Sequence, residues 1–372
     1  MKKPIIECAF FAIVFFCFSM GTEAQGTKVQ NKLFPIKQGS LWGYMDGTGK
    51  TMIKPQFESA QPFSEGMALV FKAYNQDIFI PYYIDRTGRT IWYPKLDPLT
   101  PEKMEALLEI QYKLDNPGEG LAIAYEVEPL GYKLGYIDST GKFVVQPQFY
   151  DAGRFSEGLA VVCVQGGCGY IDMNGNFAVK PQFEKALPFS QGLAAVNIGG
   201  QYGYINKDGV TVINPGFEDA DSFSHERAPV KLDGKWGYID KTGRLIIEAK
   251  YHRARAFSED LAAVGIQEPS SEPEQSPPLV VAKKFKGKWG YLDVTGKELV
   301  HMRFDDASQF SEGLAAVKMG DEWGYVDRNG TMLIAPQFNY ASAFSGGLAL
   351  VQVGGKMAYI DKTGRFLWGP AE

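Results

Sequence analysis

The sequence predicts an all-β protein. It reads as a tandem array of nine three-stranded antiparallel units with a period of 34 residues, forming an open solenoid or superhelix and carrying one inserted helix. A closed β-propeller is the alternative. Three observations carry this reading. A Tyr followed by an aliphatic residue or Met, then Asp or Asn, two residues and Gly, occurs nine times, at Tyr44, Tyr83, Tyr136, Tyr170, Tyr204, Tyr238, Tyr291, Tyr325 and Tyr359. The intervals are 39, 53, 34, 34, 34, 53, 34 and 34 residues, so two of them carry 19 extra residues each. Gly 42 and Pro 21 are more than a globular chain of 372 residues usually holds, which implies many turns and short strands. Against the propeller stand its usual four strands per blade and four to eight blades per ring, and the lack of a strand visibly split between the chain ends.

The N-terminus has its own logic. Lys2 and Lys3 precede an apolar run from Ile5 to Phe18 broken only by Glu7, and Gly21, Thr22, Glu23 and Ala24 follow. That order is a secretory signal, expected to span residues 1–24 and to be cleaved after Ala24. The run is short for a membrane span, so no transmembrane segment is expected after cleavage. The protein is therefore expected to be periplasmic, cell-surface or secreted, with residues 25–372 forming the array. Only Cys163 and Cys168 then remain, in a compartment where a disulfide persists. Hydrophobic residues at 45% and charged residues at 22% exclude a disordered chain. A net charge of -5 and a pI near 5.5 give no basic footprint for nucleic acid.

A full unit runs from Phe155 to Pro188 as FSEGLAVVCVQGGCGYIDMNGNFAVKPQFEKALP. Trp-Gly stands before the tyrosine at Trp42-Gly43, Trp236-Gly237, Trp289-Gly290 and Trp323-Gly324. Tyr82, Leu134, Cys168, Tyr202 and Met357 are read as replacing the Trp elsewhere. Pro-Gln-Phe follows at Pro55–Phe57, Pro147–Phe149, Pro181–Phe183 and Pro336–Phe338. The pattern resembles the bacterial WG-repeat, or KWG-repeat, family over essentially the whole exported chain. The resemblance implies a repeat scaffold, common in exported or envelope proteins, and no activity.

Each unit predicts a leading strand (Leu159 to Val164), a middle strand (Trp236 to Asp240) and a trailing strand (Phe143 to Val145). Two-residue turns containing Gly join the first two, at Gln165-Gly166, Gly199-Gly200, Asp233-Gly234, Lys286-Gly287, Gly320-Asp321 and Gly354-Gly355. The Asp-x-x-Gly turn that follows suits a side-chain cap better than calcium, because one carboxylate per turn falls well short of the ion's oxygen ligands. With Asp233-Gly234 as turn, Lys231 opposes Trp236, and Val230 and Ala228 lie beside Gly237 and Ile239. The Gly of each Trp-Gly pair is expected to make room for a neighbour's aromatic ring. Trailing pairs such as Val144-Val145, Ile246-Ile247, Leu299-Val300 and Leu333-Ile334 predict cover on both faces. Trp92 and Trp368 are read as core. Trp42, Trp236, Trp289 and Trp323 are read as packing rather than a sugar-stacking row, with Lys231, Lys284 and Lys318 set for cation–π contact.

Two insertions interrupt the period. In the first, residues 95–115, Thr100 caps and Pro101 starts a helix expected to reach Leu114, with Met104, Leu107, Leu108 and Leu114 on its apolar side. It is expected to cover the array, with a partner groove as the alternative. The second, residues 266–283, is Pro/Ser/Glu-rich and predicts a loop.

No catalytic, cofactor or metal site is expected. His225, His252 and His301 belong to no motif. Glu65, Glu119, Glu157, Glu259 and Glu312 form a single row, which a paired-carboxylate hydrolase cannot use. Lys50, Arg89, Lys142, Arg244, Lys297 and Arg365 follow the turn glycines and form a basic edge, either solvated or suited to an acidic partner. The expected function is a non-enzymatic scaffold for an extended protein partner. A cell-wall or surface glycan is the second choice, and an enzyme with a site under the helix the third. Finally, register sets Cys163 opposite Cys168 and predicts a cross-strand disulfide.

Overall fold

The computed structural model describes residues 32–75, 78–96, 100–110, 112–128, 131–267, 285 and 287–369. The expected signal peptide, Cys8, Cys17, Lys284, Lys286 and nearly all of the second insertion lie outside the described residues.

Each repeat forms one small antiparallel sheet, and the nine sheets follow the chain in order. In the first, β1 (Leu33–Gln38), β2 (Leu41–Asp46) and β3 (Thr51–Phe57) are the leading, middle and trailing strands. Seven sheets hold four strands rather than the three expected. The addition is a two-residue edge strand, such as Asp151–Ala152, which pairs with the leading strand Ala160–Val164. It is the continuation of the previous sheet's trailing strand, Phe143–Phe149, after a single residue. One extended segment therefore serves two sheets, and each blade is stitched to the next.

The hairpins follow the turn chemistry. Asp233 and Gly234 both adopt positive φ, 47° and 74°, as a primed two-residue turn requires. Lys231 then faces Trp236, Val230 faces Gly237 and Ala228 faces Ile239, in the expected register. In the seventh unit Gly287 instead pairs with Gln267, so the second insertion forms the hairpin connection and Gly287 is a strand residue.

Several expectations are corrected. The Gly after Trp makes room within its own blade. Trp236 pairs with Tyr251 and Tyr238 with Ile247, so three trailing residues bulge over Gly237. A Cβ there would meet the Ile247 carbonyl oxygen at 2.6 Å and the Ala249 nitrogen at 2.7 Å. Trailing strands Thr90–Trp92 and Phe366–Trp368 lack the Pro-Gln-Phe segment and the bulge, and there Tyr82 and Ala358 occupy the Gly position. Register sets Pro81, not Tyr82, in the Trp position. Trailing strands are covered on one face only: Ile334 is 4% exposed and its neighbour Leu333 53%.

The array closes. Eight covalently consecutive junctions bury a turn Gly of one blade against a trailing aliphatic residue of the blade before, as Gly175 does on Val145. The same contact joins the last blade to the first, where Gly49 meets Leu367. Phe34 packs edge-on to Tyr359 at 5.6 Å, and the Tyr359 hydroxyl donates to the Pro35 carbonyl over 3.0 Å. Lys32 Nζ donates to Ser345 Oγ over 2.6 Å. The chain is thus a nine-bladed β-propeller, and the open solenoid is overturned. The fourth strand supplied by the preceding blade removes the strand-count objection, and closure needs no shared strand.

Helix α1 spans Pro101–Ile110, ending before the expected Leu114. Ala106, Leu107 and Ile110 are buried under it against the second and third blades, so it covers the array. Among the described residues no helix is long and apolar enough to cross a membrane.

Candidate functional site

A binding surface must be built from groups that the fold has not already used, so the repeated polar residues are followed one by one. The signature tyrosines are buried. The hydroxyls of Tyr44, Tyr136, Tyr170, Tyr204, Tyr238, Tyr291 and Tyr325 each donate, over 2.7–2.8 Å, to the carbonyl seventeen residues later, in the next blade. Burial pushes each phenol well above its ordinary value. The serines of the same recurrent turn, followed by Glu or, at Ser190, by Gln191, donate likewise: Ser156 to the Phe189 carbonyl, Ser190 to Phe223, Ser258 to Phe310 and Ser311 to Phe344.

Four of the five glutamates in the row are also consumed. Glu119 accepts from the Gly158 N–H, Glu157 from Gly192, Glu259 from Gly313, and Glu312 from both Gly346 and Gly347. Each carboxylate clamps the equivalent turn one blade on. Glu65 is exposed, at positive φ, in the same row. The sequence held a signal for the tyrosine bond: the position is Tyr in all nine copies and never Phe, so a hydroxyl is in use. The serine recurs nearly as strictly, with Gly118 as the exception, whereas the glutamate position also holds Gln191, His225 and Gly346 and carried a weaker signal.

The Asp of each turn is a cap. Asp46 Oδ1 accepts from the Thr48 hydroxyl and from the backbone N–H of Thr48 and Lys50, and Asp240 repeats this with Thr242 and Arg244. The threonine hydroxyl is the main reason these carboxyls sit below the usual range.

The histidines are dispersed. His225 Nδ1 lies 3.0 Å from Ser224 Oγ, and its Nε2 lies 3.8 Å from Asp260. This brings together the residue types of a catalytic triad. The Ser224 hydroxyl donates its one proton to the Phe257 carbonyl over 2.7 Å, as its counterparts without a His do. His252 accepts the Gln267 N–H at Nδ1 and faces Lys235 at Nε2. Burial, then Lys235 and Arg253, pull its pKa down. His301 is exposed and contacts Glu298. The underside of α1 is apolar. The acidic group beside it, Asp115, is raised by burial and lends its carbonyl to Tyr83.

The tryptophans pack. Trp289 is buried and Trp42, Trp236 and Trp323 are half-buried against core clusters. Cation–π contact is made by Lys37 on Trp42 and Arg255 on Trp289. Lys231 pairs with Glu218 instead, and Lys318 faces Asp305. Trp92 is buried, and Trp368 is half-buried at the closing junction. Cys163 and Cys168 face each other across the hairpin and are disulfide-bonded, with Cα atoms 4.0 Å apart.

Basic residues recur, exposed, directly after the turn glycines. Lys50, Arg89, Lys142, Arg244, Lys297 and Arg365 all project to solvent, and only Arg89 and Arg365 reach back to a turn carboxylate, at 3.2 and 3.3 Å. Closure rearranges this edge. Arg365 of the ninth blade, Lys50, Arg89 and Lys142 fall on four consecutive blades and make one arc across the chain ends. Arg244 and Lys297 form a second pair. Asn176, Val210 and Thr331 hold the position on the other blades.

A family model described as WG containing repeat matches residues 42–74, 135–168, 169–202, 202–236, 236–266, 289–323 and 323–356. A comparison with curated proteins finds no match. Among solved structures, the chain is similar to Hsv2 of Kluyveromyces lactis at 10% identity and a TM-score of 0.33, covering 55% of this chain and 71% of that one. For dihydro-heme d1 dehydrogenase NirN in complex with DHE the values are 10%, 0.44, 93% and 74%. For PorZ, a surface component of the type-IX secretion system of Porphyromonas gingivalis, they are 10%, 0.32, 93% and 51%.

Proposed function

Starting from the premise that this chain belongs to the WG-repeat family, we propose that it is an exported, non-enzymatic propeller scaffold that binds a protein partner through its surface. One observation carries the reading. The repeated hydroxyls and most of the repeated carboxylates are spent on caps and blade-to-blade clamps, which leaves the post-turn basic residues as a recurrent solvent-facing group, with Arg89 and Arg365 held only by exposed pairs to their turn carboxylates. Their arc across the ring closure suits an acidic protein surface, which it would steer and orient more than hold. The signal-like N-terminus and the Cys163–Cys168 bond support export. A ring offers no long open groove, so an extended partner is no longer required. A surface glycan is the second reading.

Capture from envelope extract, run beside a glycan array, tests the proposal. The wild-type ring should retain a protein in a salt-sensitive manner, and K50E/R89E/K142E/R365E should lower capture at least tenfold. Glycan binding indifferent to those four substitutions, or turnover of a substrate, would overturn it.

A further inference from the structure

Seven blades have the free edge of their leading strand closed by the same short segment. It comes from the blade before and reads aromatic, polar, any residue, alanine. Examples are Phe57-Glu58-Ser59-Ala60, Phe217-Glu218-Asp219-Ala220 and Phe304-Asp305-Asp306-Ala307. Three features hold it. The aromatic residue is buried, as Phe304 at 0% and Phe57 at 3% exposure. The second residue's N–H donates to the leading strand: Glu58 to the Phe71 carbonyl, Glu218 to Lys231, and Asp305 to Lys318, over 2.9–3.0 Å. Its side chain faces a lysine where one is present, as Glu218 faces Lys231 at 3.8 Å.

Two blades lack this segment, and for one reason: the preceding trailing strand stops after three residues, at Trp92 and at Trp368. In the third blade the first insertion fills the place, with α1 packed against strands Ala122–Glu128 and Gly131–Ile137. Among the described residues no helix packs in this way against the first blade. Among the described residues, β1 is paired only with β2, and no N–H reaches the Lys37 carbonyl, which stands where Lys231 and Lys318 stand in their blades. Among the described residues, Met357, in the matching Trp position of the ninth blade, has no trailing-strand partner, although Gly369 lies against its carbonyl. The cluster at this junction keeps Leu350, Leu367 and Trp368 only partly buried. Nor does the chain's own sequence supply the pattern in register. The aromatic position falls on Glu23 or Glu372 and the alanine position on Gly26.

We propose that the junction between the ninth and first blades is a strand-addition site for an extended segment of a partner protein. The filled junctions define the segment: a buried aromatic, then a polar residue that is acidic in four of the seven, as suits Lys37 here, one residue of any kind, and alanine. The aromatic enters beside Met357, the acidic residue's N–H meets the Lys37 carbonyl, and its carboxylate meets the Lys37 ammonium. Main-chain bonds supply affinity and the aromatic supplies specificity, as in other edge-strand complexes. The inference rests on the protein-partner reading and locates one docking point for it.

The probe is a fluorescent peptide with the sequence of residues 213–223, INPGFEDADSF, whose Glu218 partners Lys231 within the ring. Anisotropy titration against the full chain should show saturable one-to-one binding. Replacing the peptide's Phe by Ala, or K37E in the protein with an unchanged melting curve, should weaken binding at least tenfold. A K37E protein that binds the peptide normally, no saturation at millimolar peptide, or binding that appears only after deletion of residues 25–31 would each overturn the site. A partner captured by the basic arc but insensitive to K37E would sink this inference and leave the scaffold proposal standing.

Discussion

The bulge over the Trp-Gly pair yields the sharpest stability prediction. In Gly324→Ala the new Cβ would lie 2.5 Å from the Ile334 carbonyl oxygen, 2.7 Å from the Pro336 nitrogen and 2.9 Å from the Ala335 carbonyl carbon. All three are backbone atoms, so no side-chain rotation relieves the contact. Ordinary packing begins near 3.4 Å, so the trailing strand must retreat by roughly 0.9 Å. It is pinned on either side by the pairs Trp323–Phe338 and Tyr325–Ile334. Overpacking costs roughly 1–3 kcal/mol and losing one ladder bond about 1 kcal/mol more, so about 3 kcal/mol is expected. At roughly 1.4 °C per kcal/mol for a ring of this length, the melting temperature read by tryptophan fluorescence should fall by about 4 °C. Hydrogen exchange should rise first between Leu314 and Phe338. The ninth blade is the internal control. Ala358 already stands in the same position with no bulge above it among the described residues, and Ala358→Gly should cost only about 0.5–1 kcal/mol through backbone entropy. A Gly324→Ala protein melting within about 1 °C of wild type would show that the bulge does not dictate glycine.

Three further outcomes follow from the clamps and the disulfide. Tyr204→Phe strands the Asp221 carbonyl that it now bonds at 2.8 Å, which should cost about 1–3 kcal/mol in urea unfolding; a change under 0.3 kcal/mol would dismiss the clamp. The buried phenols titrate above their ordinary 10.0, so their stabilisation is complete below pH 10 and is lost as pH rises beyond it. Tyrosinate absorbance from the signature positions should therefore appear together with unfolding, and titration of a still-folded ring would contradict that burial. Protein prepared under oxidising conditions should show no alkylatable thiol at Cys163 or Cys168. Reduction should leave the ring folded, since a loop of six residues contributes less than the ~3 kcal/mol of a longer one.

Much of each blade was legible because its determinants are local. Asp233-Gly234 fixes a hairpin, the hairpin fixes register, and register alone set Cys163 opposite Cys168 and Lys231 opposite Trp236. The fourth strand was illegible because Asp151-Ala152 lies one residue beyond Phe149 in a run that reads as a single strand, and nothing in the sequence marks where it changes partners. The place of the Trp-pair Gly was misread for a related reason. Alternation predicts which face a residue takes, whereas the bulge depends on Tyr238 and Trp236 spanning four residues of the opposing strand. The basic edge was visible as six residues, but its continuity is a property of closure.

Closure itself was beyond the period. A repeat of 34 residues specifies how one blade meets the next, and open and closed arrays use the same contacts at each step. Ring or superhelix is decided by a rotation of about 40° per blade and by whether the small departures sum to zero over nine, which no single unit encodes. The ends nevertheless carried a trace. Trp92 and Trp368 both replace an aliphatic residue, both lack Pro-Gln-Phe, and Tyr82 and Ala358 beside them both lack the glycine that the bulge would demand. At Tyr83 and at Tyr359 the hydroxyl accordingly reaches the next blade's leading strand itself, at the Ile123 and Pro35 carbonyls. A terminal unit written like an internal junction, with the contacts of an internal junction, is a unit that has a neighbour. For Trp368 that neighbour is the first blade.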